Sequence, residues 1–335
     1  MTDSTLSLEQ ALEKSLKTTE RWPLHEIPID PHPEFPSLID NSARSNFVKC
    51  EQYWFRASVQ QLRLAGAGSI HLNAGGALAK GLEVARRSYY EAEFPVDVAE
   101  EHGEMALVKA YGDPSLYIPA KQGDKSLDGT IRAYRSYLLE YPLATDIIRP
   151  YRSASGRIAA EFKFSIPLEI KHPTTGMPLL YGGKFDLLGY CDPDGKGNEL
   201  LWTVDEKSTT ALGDQWRNNW TLDSQFTGYC WASRHEGYPV AGTCVRGIGM
   251  LKQKTTHAEV FVYRPQWMID RWLEQLYNDI ELMIRAWEKH SYRYALDKHQ
   301  CNSFGGCPFV TLCGSPEPSK WLSQYQVVPW SPLED

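Results

Sequence analysis

LLYGGKFDLLGYCDPDGKGNELLWTVDEKS, residues 179 to 208, sets two apolar runs on either side of an Asp-Pro-Asp-Gly stretch. Bulky and β-branched residues favour strands, and this turn chemistry joins them into an antiparallel hairpin. The second strand ends in Asp205, Glu206 and Lys207, and buried strands seldom stop in three ionisable groups without partners. Side chains alternate faces along a strand, so Asp205 and Lys207 point to one side and Glu206 to the other. Antiparallel pairing brings Asp186 beside Asp205, two oxygen ligands at the spacing a hard divalent cation requires. A lysine beside a bound metal positions or deprotonates water while the metal stabilises the charge that develops at phosphorus. That is the chemistry of phosphodiester hydrolysis.

Outward from the hairpin, EFKFSIPLEI alternates Phe162, Phe164 and Ile166 against Glu161, Lys163 and Ser165, the pattern of a half-buried strand. A helix is expected over about 222–235, strands near 240–251 and 257–263, and a long helix from about 266 to 290. Upstream, residues 1–20 read as an amphipathic helix and WPLHEIPIDPHPEFP as an extended connector. A helical region follows from about Ser42 to Arg87, broken by the Gly-rich loop AGAGSIHLNAGG. The expected fold class is α/β, with a mixed central sheet flanked by helices. The expected division is an N-terminal helix and connector (1–40), one domain (41–315) and a C-terminal tail (316–335).

The 335 residues, 42% hydrophobic, suffice for a packed core. The N-terminus has no basic-then-apolar leader, and no run is long enough to span a bilayer, so a soluble, cytoplasmic protein is expected. A net charge of -7 argues against a basic coat for nucleic acid. Local basic patches remain: Arg132, Arg135, Arg149, Arg152 and Arg157 in one stretch, and Arg246, Lys252 and Lys254 in another. Arg149, Arg152, Arg246 and Lys252 are the candidates for DNA contact.

An Asp-x-Lys triplet arises by chance on the order of once in a chain of this length. The next helix supplies the conjunction: in TLDSQFTGYCWASR, Gln225 and Tyr229 are four apart and share a face. GGKFDLLGY, DEK and QFTGY, in that order, resemble the Gly-x-x-Asp, Asp/Glu-x-Lys and Gln-x-x-x-Tyr motifs of the RecB-like branch of the PD-(D/E)XK nucleases. The resemblance covers residues 42 to 315 loosely and the motifs closely. It implies Mg or Mn held by Asp186 and Asp205, with the Glu206 carbonyl as a further ligand. It also implies a catalytic Lys207, with Gln225 and Tyr229 contacting the active site or the DNA strand. One departure stands out. GGALAKGLE matches the family's Gly-x-x-x-His-x-x-Leu-Glu helix at Gly75, Leu82 and Glu83 but has Ala79 in the histidine position. Glu83, one turn further on the same face, is the substitute oxygen ligand, with a surface glutamate as the plainer reading. His71 falls in the Gly-rich loop.

Cys301, Cys307 and Cys313 recur in CNSFGGCPFVTLC, and a stable thiolate site wants a fourth ligand. Cys50 in SNFVKCEQYWFR is the candidate. Its surroundings resemble the Ser-x-x-x-x-Cys-x-x-x-aromatic helix of iron-sulfur members of the same branch, the CRISPR-associated adaptation nucleases and AddB-type helicase-nucleases, which implies a 4Fe-4S cluster. The late spacing is wider than theirs and leaves zinc, or loss of the metal, open. Cys191, Cys230 and Cys244 sit among apolar neighbours and read as core thiols. Trp202, Trp216, Trp220 and Trp231 fit core packing better than a base-stacking surface. The whole resembles stand-alone phage or prophage DNA exonucleases of replication and recombination, whose partners would be recombination or replication proteins. An internally cutting endonuclease and a catalytically silent DNA-binding subunit are the rivals.

Overall fold

In the computed structural model, which describes residues 33–65, 70–116, 123–295, 298–302, 306–329, 331 and 333, the two apolar runs pair as expected. In chain order, strand β1 (Leu38–Ile39) leads into helices α1 (Asn41–Lys49) and α2 (Glu51–Trp54), the latter continuing as a π turn over Phe55–Val59. Strand β2 (Leu62–Leu64) and helices α3 (Ile70–Tyr90), α4 (Val96–Tyr111) and α5 (Leu127–Glu140) follow. The sheet is laid down as β3 (Arg149–Pro150), β4 (Ala160–Lys171), β5 (Pro178–Cys191) and β6 (Leu200–Thr209). Helices α6 (Asp214–Asn218) and α7 (Ser224–His235) interrupt it before β7 (Val240–Met250) and β8 (Thr255–Tyr263) complete it. Helices α8 (Gln266–Glu288), α9 (Lys298–Asn302) and α10 (Val310–Cys313) and strand β9 (Tyr325–Val327) come last. The expected N-terminal helix lies outside the described residues. No helix among the described residues is long and apolar enough to cross a membrane.

The sheet is mixed. β5 pairs antiparallel with β4 and β6, β6 runs parallel to β7, and β7 and β8 form a second antiparallel pair. The parallel step requires a crossover, which α6 and α7 supply. On β4, Phe164, Ile166 and Leu168 are buried while Lys163, Ser165 and Glu169 are exposed, the alternation read from sequence. One core packs the sheet against α1, α7 and α8, and a second packs α3, α4 and α5 onto Ile248 and Met250 of β7. Gly103 of α4 meets α3 so closely that an added Cβ would lie 2.6 Å from the Gly81 carbonyl oxygen, so only glycine fits there.

The feature that positions the site is a fork. The β5–β6 ladder ends at the pair Leu187↔Val204. Beyond it β6 keeps its pairing with β7 to Thr209, whereas β5, with β4 on its other edge, takes β1 as its partner at Leu180 and Tyr181. Asp186 and Asp205 are the first residues of the opened strands.

Two expectations need correction. The Gly-rich stretch is not a break down to Gly76, because α3 has begun by Ile70, which places His71 on the helix. Residues 316–335 are not merely a tail: β9 pairs antiparallel with β2, and Phe309, Leu312 and Tyr325 share a small core with Ala57 and Leu62.

Behind the fork lies a buried charge network that the sequence reading missed. Glu206 turns to the face opposite Asp205, where its carboxylate accepts hydrogen bonds from Arg86 Nη2 at 2.5 Å and Tyr137 Oη at 2.8 Å. Arg246, expected on a basic surface patch, is fully buried. It donates two 2.6 Å hydrogen bonds to Asp146 and one of 2.7 Å to Glu259, and lies 3.9 Å from the Tyr141 ring centroid. It is spent inside the protein and cannot touch DNA. Burial alone would raise the pKa of Glu206, but Arg86 outweighs it and holds the carboxyl down at about 2.

Because its side chain faces away from the fork, the sequence alone predicts a mild effect of Glu206→Ala; the network predicts otherwise. Glu206→Ala leaves the Arg86 guanidinium buried without its anion and should cost about 3–5 kcal/mol in urea denaturation. The folded-state pKa is depressed, so Glu206 contributes stability that is fully present above its ordinary value of 4.5 and is lost as pH falls toward 2. The gap between wild type and Glu206→Ala should therefore narrow over that window; a constant gap would show that the ion pair is not its source.

Candidate active site

At the fork, Asp186 Oδ2 accepts the Glu206 backbone N–H at 2.6 Å, which ties the end of β5 to β6 after the regular ladder has stopped. Asp205 is 2% exposed, and its Oδ2 lies 2.6 Å from Lys207 Nζ without a well-directed hydrogen bond. The alternation expected from sequence therefore holds: Asp205 and Lys207 share a face. Burial pushes the Asp186 carboxyl well above the ordinary carboxylate range, and the neighbouring charges of Asp205, Glu206 and Glu161 push it further. Asp205 is raised by burial too, against the opposing pull of Lys207. Two carboxyls crowded together beside one ammonium repel one another when ionised, which is why both are raised.

Helix α7 closes one side. Asp223 caps it by accepting the Phe226 N–H at 3.2 Å, and Lys207 Nζ lies 5.6 Å from the Phe226 ring centroid. One turn apart, Gln225 Nε2 donates to Tyr229 Oη at 2.6 Å. Burial and then the charges of Asp205 and Asp186 raise the Tyr229 phenol far above its ordinary pKa, so its hydroxyl keeps its proton and faces the same negative pocket. The three sequence stretches, separate in the chain, converge on one place.

Glu161 is the acid that sequence reasoning passed over. It stands opposite Asp186, between the pairs Ala160↔Leu187 and Phe162↔Phe185, is paired with Lys184, and has a left-handed backbone with φ of 49°. A strained, non-glycine residue beside charged groups is a common mark of a working site. The available signal was the β4–β5 register, since the strand itself was legible. Glu83, the suggested substitute ligand, is held by Lys80 at 2.8 Å and Arg87 at 2.9 Å. Ala79 lies on the α3 face between Glu83 and Gly75, and a Cβ at Gly75 would sit 3.7 Å from Ser208 Oγ.

Among the described residues, no three His, Cys, Asp or Glu side chains gather closely enough to hold a metal ion between them. The donor set that remains is two buried carboxylates, Asp186 and Asp205, with backbone oxygen. Mg or Mn fits such a set, because these ions commonly keep several waters and take only one or two carboxylates from the protein. The Asp205 Oδ2, paired with Lys207 at 2.6 Å but without a well-directed hydrogen bond, is the oxygen a cation would share with the ammonium.

The four expected cysteines lie on the N-terminal helices and the C-terminal segment of the described chain. Cys50 joins α1 to α2 and reaches the Arg293 carbonyl at 3.9 Å, Cys301 lies on α9, and Cys313 ends α10. The Cys307 N–H donates to the Cys301 carbonyl at 2.7 Å. Burial pushes the Cys313 thiol up to about 11, and among the charges acting on it are those of Cys307, Cys50 and Cys301. The four thiols are free and do not gather closely enough to form a metal-binding group among the described residues. Cys191, Cys230 and Cys244 are buried core thiols, as expected.

Of the basic candidates other than Arg246, Arg149 is exposed and paired with Glu199, Arg152 is exposed near β3, and Lys252 is exposed between β7 and β8. Arg132 and Arg135 are paired with Asp124 and Glu104. The cationic surface beside the site is elsewhere. A groove of about 420 Å³ between α1, α7 and α8 carries Lys49 and Arg271 on its surface, with Ser224 and Thr227 of α7 in its wall; Arg44 at its base is buried and paired with Asp279 at 2.7 Å. Its residues are scattered from 44 to 275, so no local run announced it. Trp202 and Trp216 are buried, and Trp220 and Trp231 pack against the main core.

No protein-family model matches the chain, and no curated protein is similar to it. Among solved structures, the crystal structure of SSO0001 aligns with 62% of this chain and 73% of its own, at 13% identity and a TM-score of 0.26. A likeness that slight carries no argument about family or activity.

Proposed function

We propose that this chain is a divalent-metal-dependent deoxyribonuclease of the PD-(D/E)XK type, an exonuclease acting on DNA ends. The observation that carries the reading is the fork: Asp186 and Asp205 at the opening of two strands, with Lys207 Nζ 2.6 Å from the Asp205 carboxylate. Asp186 and Asp205 would hold Mg or Mn, with the Glu206 carbonyl as a further oxygen. Bound there, the ion supplies Lewis acidity toward a phosphate oxygen and a lowered pKa for water. Lys207, kept protonated by Asp205 and Asp186 against the effect of burial, holds and orients the attacking water through its N–H donors. Tyr229 accepts from Gln225 and so has its own O–H free to donate to a phosphate oxygen.

The strand itself would run through the groove of Lys49 and Arg271, whose wall is the N-terminal turn of the helix that carries Gln225. Arg149, Arg152 and Lys252, all exposed, would contact a longer duplex. No tetrathiolate centre, 4Fe-4S or zinc, enters this reading, because the four thiols do not gather closely enough among the described residues; the β2–β9 pairing joins the two ends of the domain. A second reading, a DNA-binding subunit that does not cleave, is favoured by Ala79 in place of a histidine ligand and by the two-carboxylate donor set. An endonuclease is separated from an exonuclease by a circular single-stranded substrate.

End-labelled single- and double-stranded DNA incubated with Mn tests the reading. Wild type should shorten the label, and Asp186→Ala, Asp205→Ala and Lys207→Ala should each lose about 100-fold or more in rate while remaining folded by circular dichroism. Asp186→Asn keeps the acceptor for the Glu206 N–H and removes one repelling charge. It should melt higher than wild type in EDTA yet gain nothing from Mn, whereas wild type gains; equal responses would place the metal elsewhere.

The groove makes a separate demand. Lys49→Glu with Arg271→Glu should weaken single-strand binding and reduce the steepness of its salt dependence by about two counterions, since each phosphate contact contributes about one. An unchanged salt slope would remove the groove from the DNA path.

A further inference from the structure

Val48 and Leu222 are aliphatic side chains left 62% and 80% exposed, and both line the groove between α1, α7 and α8 together with Met268. Single exposed aliphatics are ordinary, but these three come from separate elements and converge on one cleft, beside the exposed cations Lys49 and Arg271. The hydrogen-bonding groups of its floor and wall are already committed. Arg44 donates to Asp279 at 2.7 Å and to Ser224 Oγ at 2.9 Å, its guanidinium lies 5.6 Å from the Trp272 ring centroid, and Trp272 Nε1 also donates to Ser224, at 2.9 Å. Thr227 Oγ1 donates to the Asp223 carbonyl and accepts from Arg264 Nε, both at 2.9 Å. What remains for a ligand is aliphatic surface with positive charge beside it. An unpaired polynucleotide presents phosphates and base faces at once, whereas a duplex presents phosphates and keeps its base faces stacked inside. Position favours the polynucleotide over an acidic, apolar peptide: Ser224 and Gln225 are consecutive on α7, so the groove and the Gln225–Tyr229 pair occupy neighbouring faces of one helix.

We propose that the groove holds the unpaired end of a DNA strand, with Lys49 and Arg271 on its phosphates and Val48, Leu222 and Met268 against its bases. The proposal rests on the reading of this chain as a protein that acts on DNA, and adds to it the substrate's strandedness. The cleft of about 420 Å³ falls in the range of small-ligand clefts, about 300–1,000 Å³, which is room for individual nucleotides and not for a double helix. Because the floor and wall have no uncommitted partner for base edges, the groove selects single strands over duplex without selecting sequence.

The test measures binding in EDTA, where no strand is cut, with three probes of about 12 nucleotides: oligothymidylate, a strand of the same length without bases, and a blunt duplex. Wild type should bind oligothymidylate about 10-fold or more tightly than the abasic strand. Val48→Ser with Leu222→Ser, a change at two exposed positions that leaves the core intact, should lose about 10-fold on oligothymidylate, the equivalent of burying one aliphatic side chain. Its salt dependence, and its affinity for the abasic strand and the duplex, should stay as in wild type, because no phosphate contact has gone. Equal affinity of wild type for oligothymidylate and the abasic strand overturns the proposal, as does an equal loss on all three probes in the double variant. A groove that ignores oligothymidylate but binds a peptide of alternating Asp and Leu, and loses it in the double variant, overturns it too and is a protein-docking surface. Cutting in Mn is scored separately: base-dependent binding without cutting upholds the groove and overturns the cleavage reading, and cutting without base dependence does the reverse.

Discussion

The ion pair between Arg86 and Glu206 fixes which way β6 faces. A strand has a side-chain period of two, so anchoring one residue to one face assigns every neighbour. With Glu206 held by Arg86 and Tyr137 on the α3 and α5 side, Asp205 and Lys207 have only the α7 side left. Arg246 does the same for β7: clasped by Asp146 and Glu259, it holds the strand that stays in register with β6 out to Thr209. Slipping β6 by one residue would bury Asp205 against Arg86 and put Glu206 in the fork. The network's cost in desolvation is thus set against a specific register, a use of buried charge that hydrophobic replacements would not supply.

The fork depends on that anchoring because β5 and β6 separate just where their acids begin. A continuous ladder would have left Asp186 and Asp205 as a directly opposed like-charge pair, which is destabilising on a sheet. Opening the ladder relieves the pairing constraint, and the Glu206 N–H satisfies one oxygen of Asp186. What remains is a pocket with more negative than positive charge, roofed by Tyr229 and Gln225. Under the proposed reading, that imbalance is offset by a divalent cation, and the same imbalance makes the cation-free state the less stable one.

How far the sequence revealed this depends on distance along the chain. The hairpin, the shared face of Asp205 and Lys207, and the Gln225–Tyr229 turn were legible because period-two alternation, turn chemistry and helical spacing are local signals. The α/β class with a mixed sheet followed from the order of those elements. Arg86, 120 positions from Glu206, could not be seen as its partner, so the role of the Glu206 side chain went unread. Arg246 was read as surface because two lysines follow it, although its place within the apolar run VRGIGM was the better clue to burial. Glu161 needed the β4–β5 register, and the groove of Lys49 and Arg271 needed three elements brought together. The three residues of β9 are too few to carry a periodic signal, so their pairing with β2 went unread.

Under the proposed reading, the buried network turns the fork into a cation site. Anomalous scattering at the manganese edge, from crystals soaked in Mn, tests it most directly. The expected result is a peak between the carboxylates of Asp186 and Asp205 in wild-type crystals, with neither the Glu206 side chain nor Glu83 coordinating it. A peak coordinated by the Glu206 side chain, or a well-ordered fork that stays empty at saturating Mn, would contradict it.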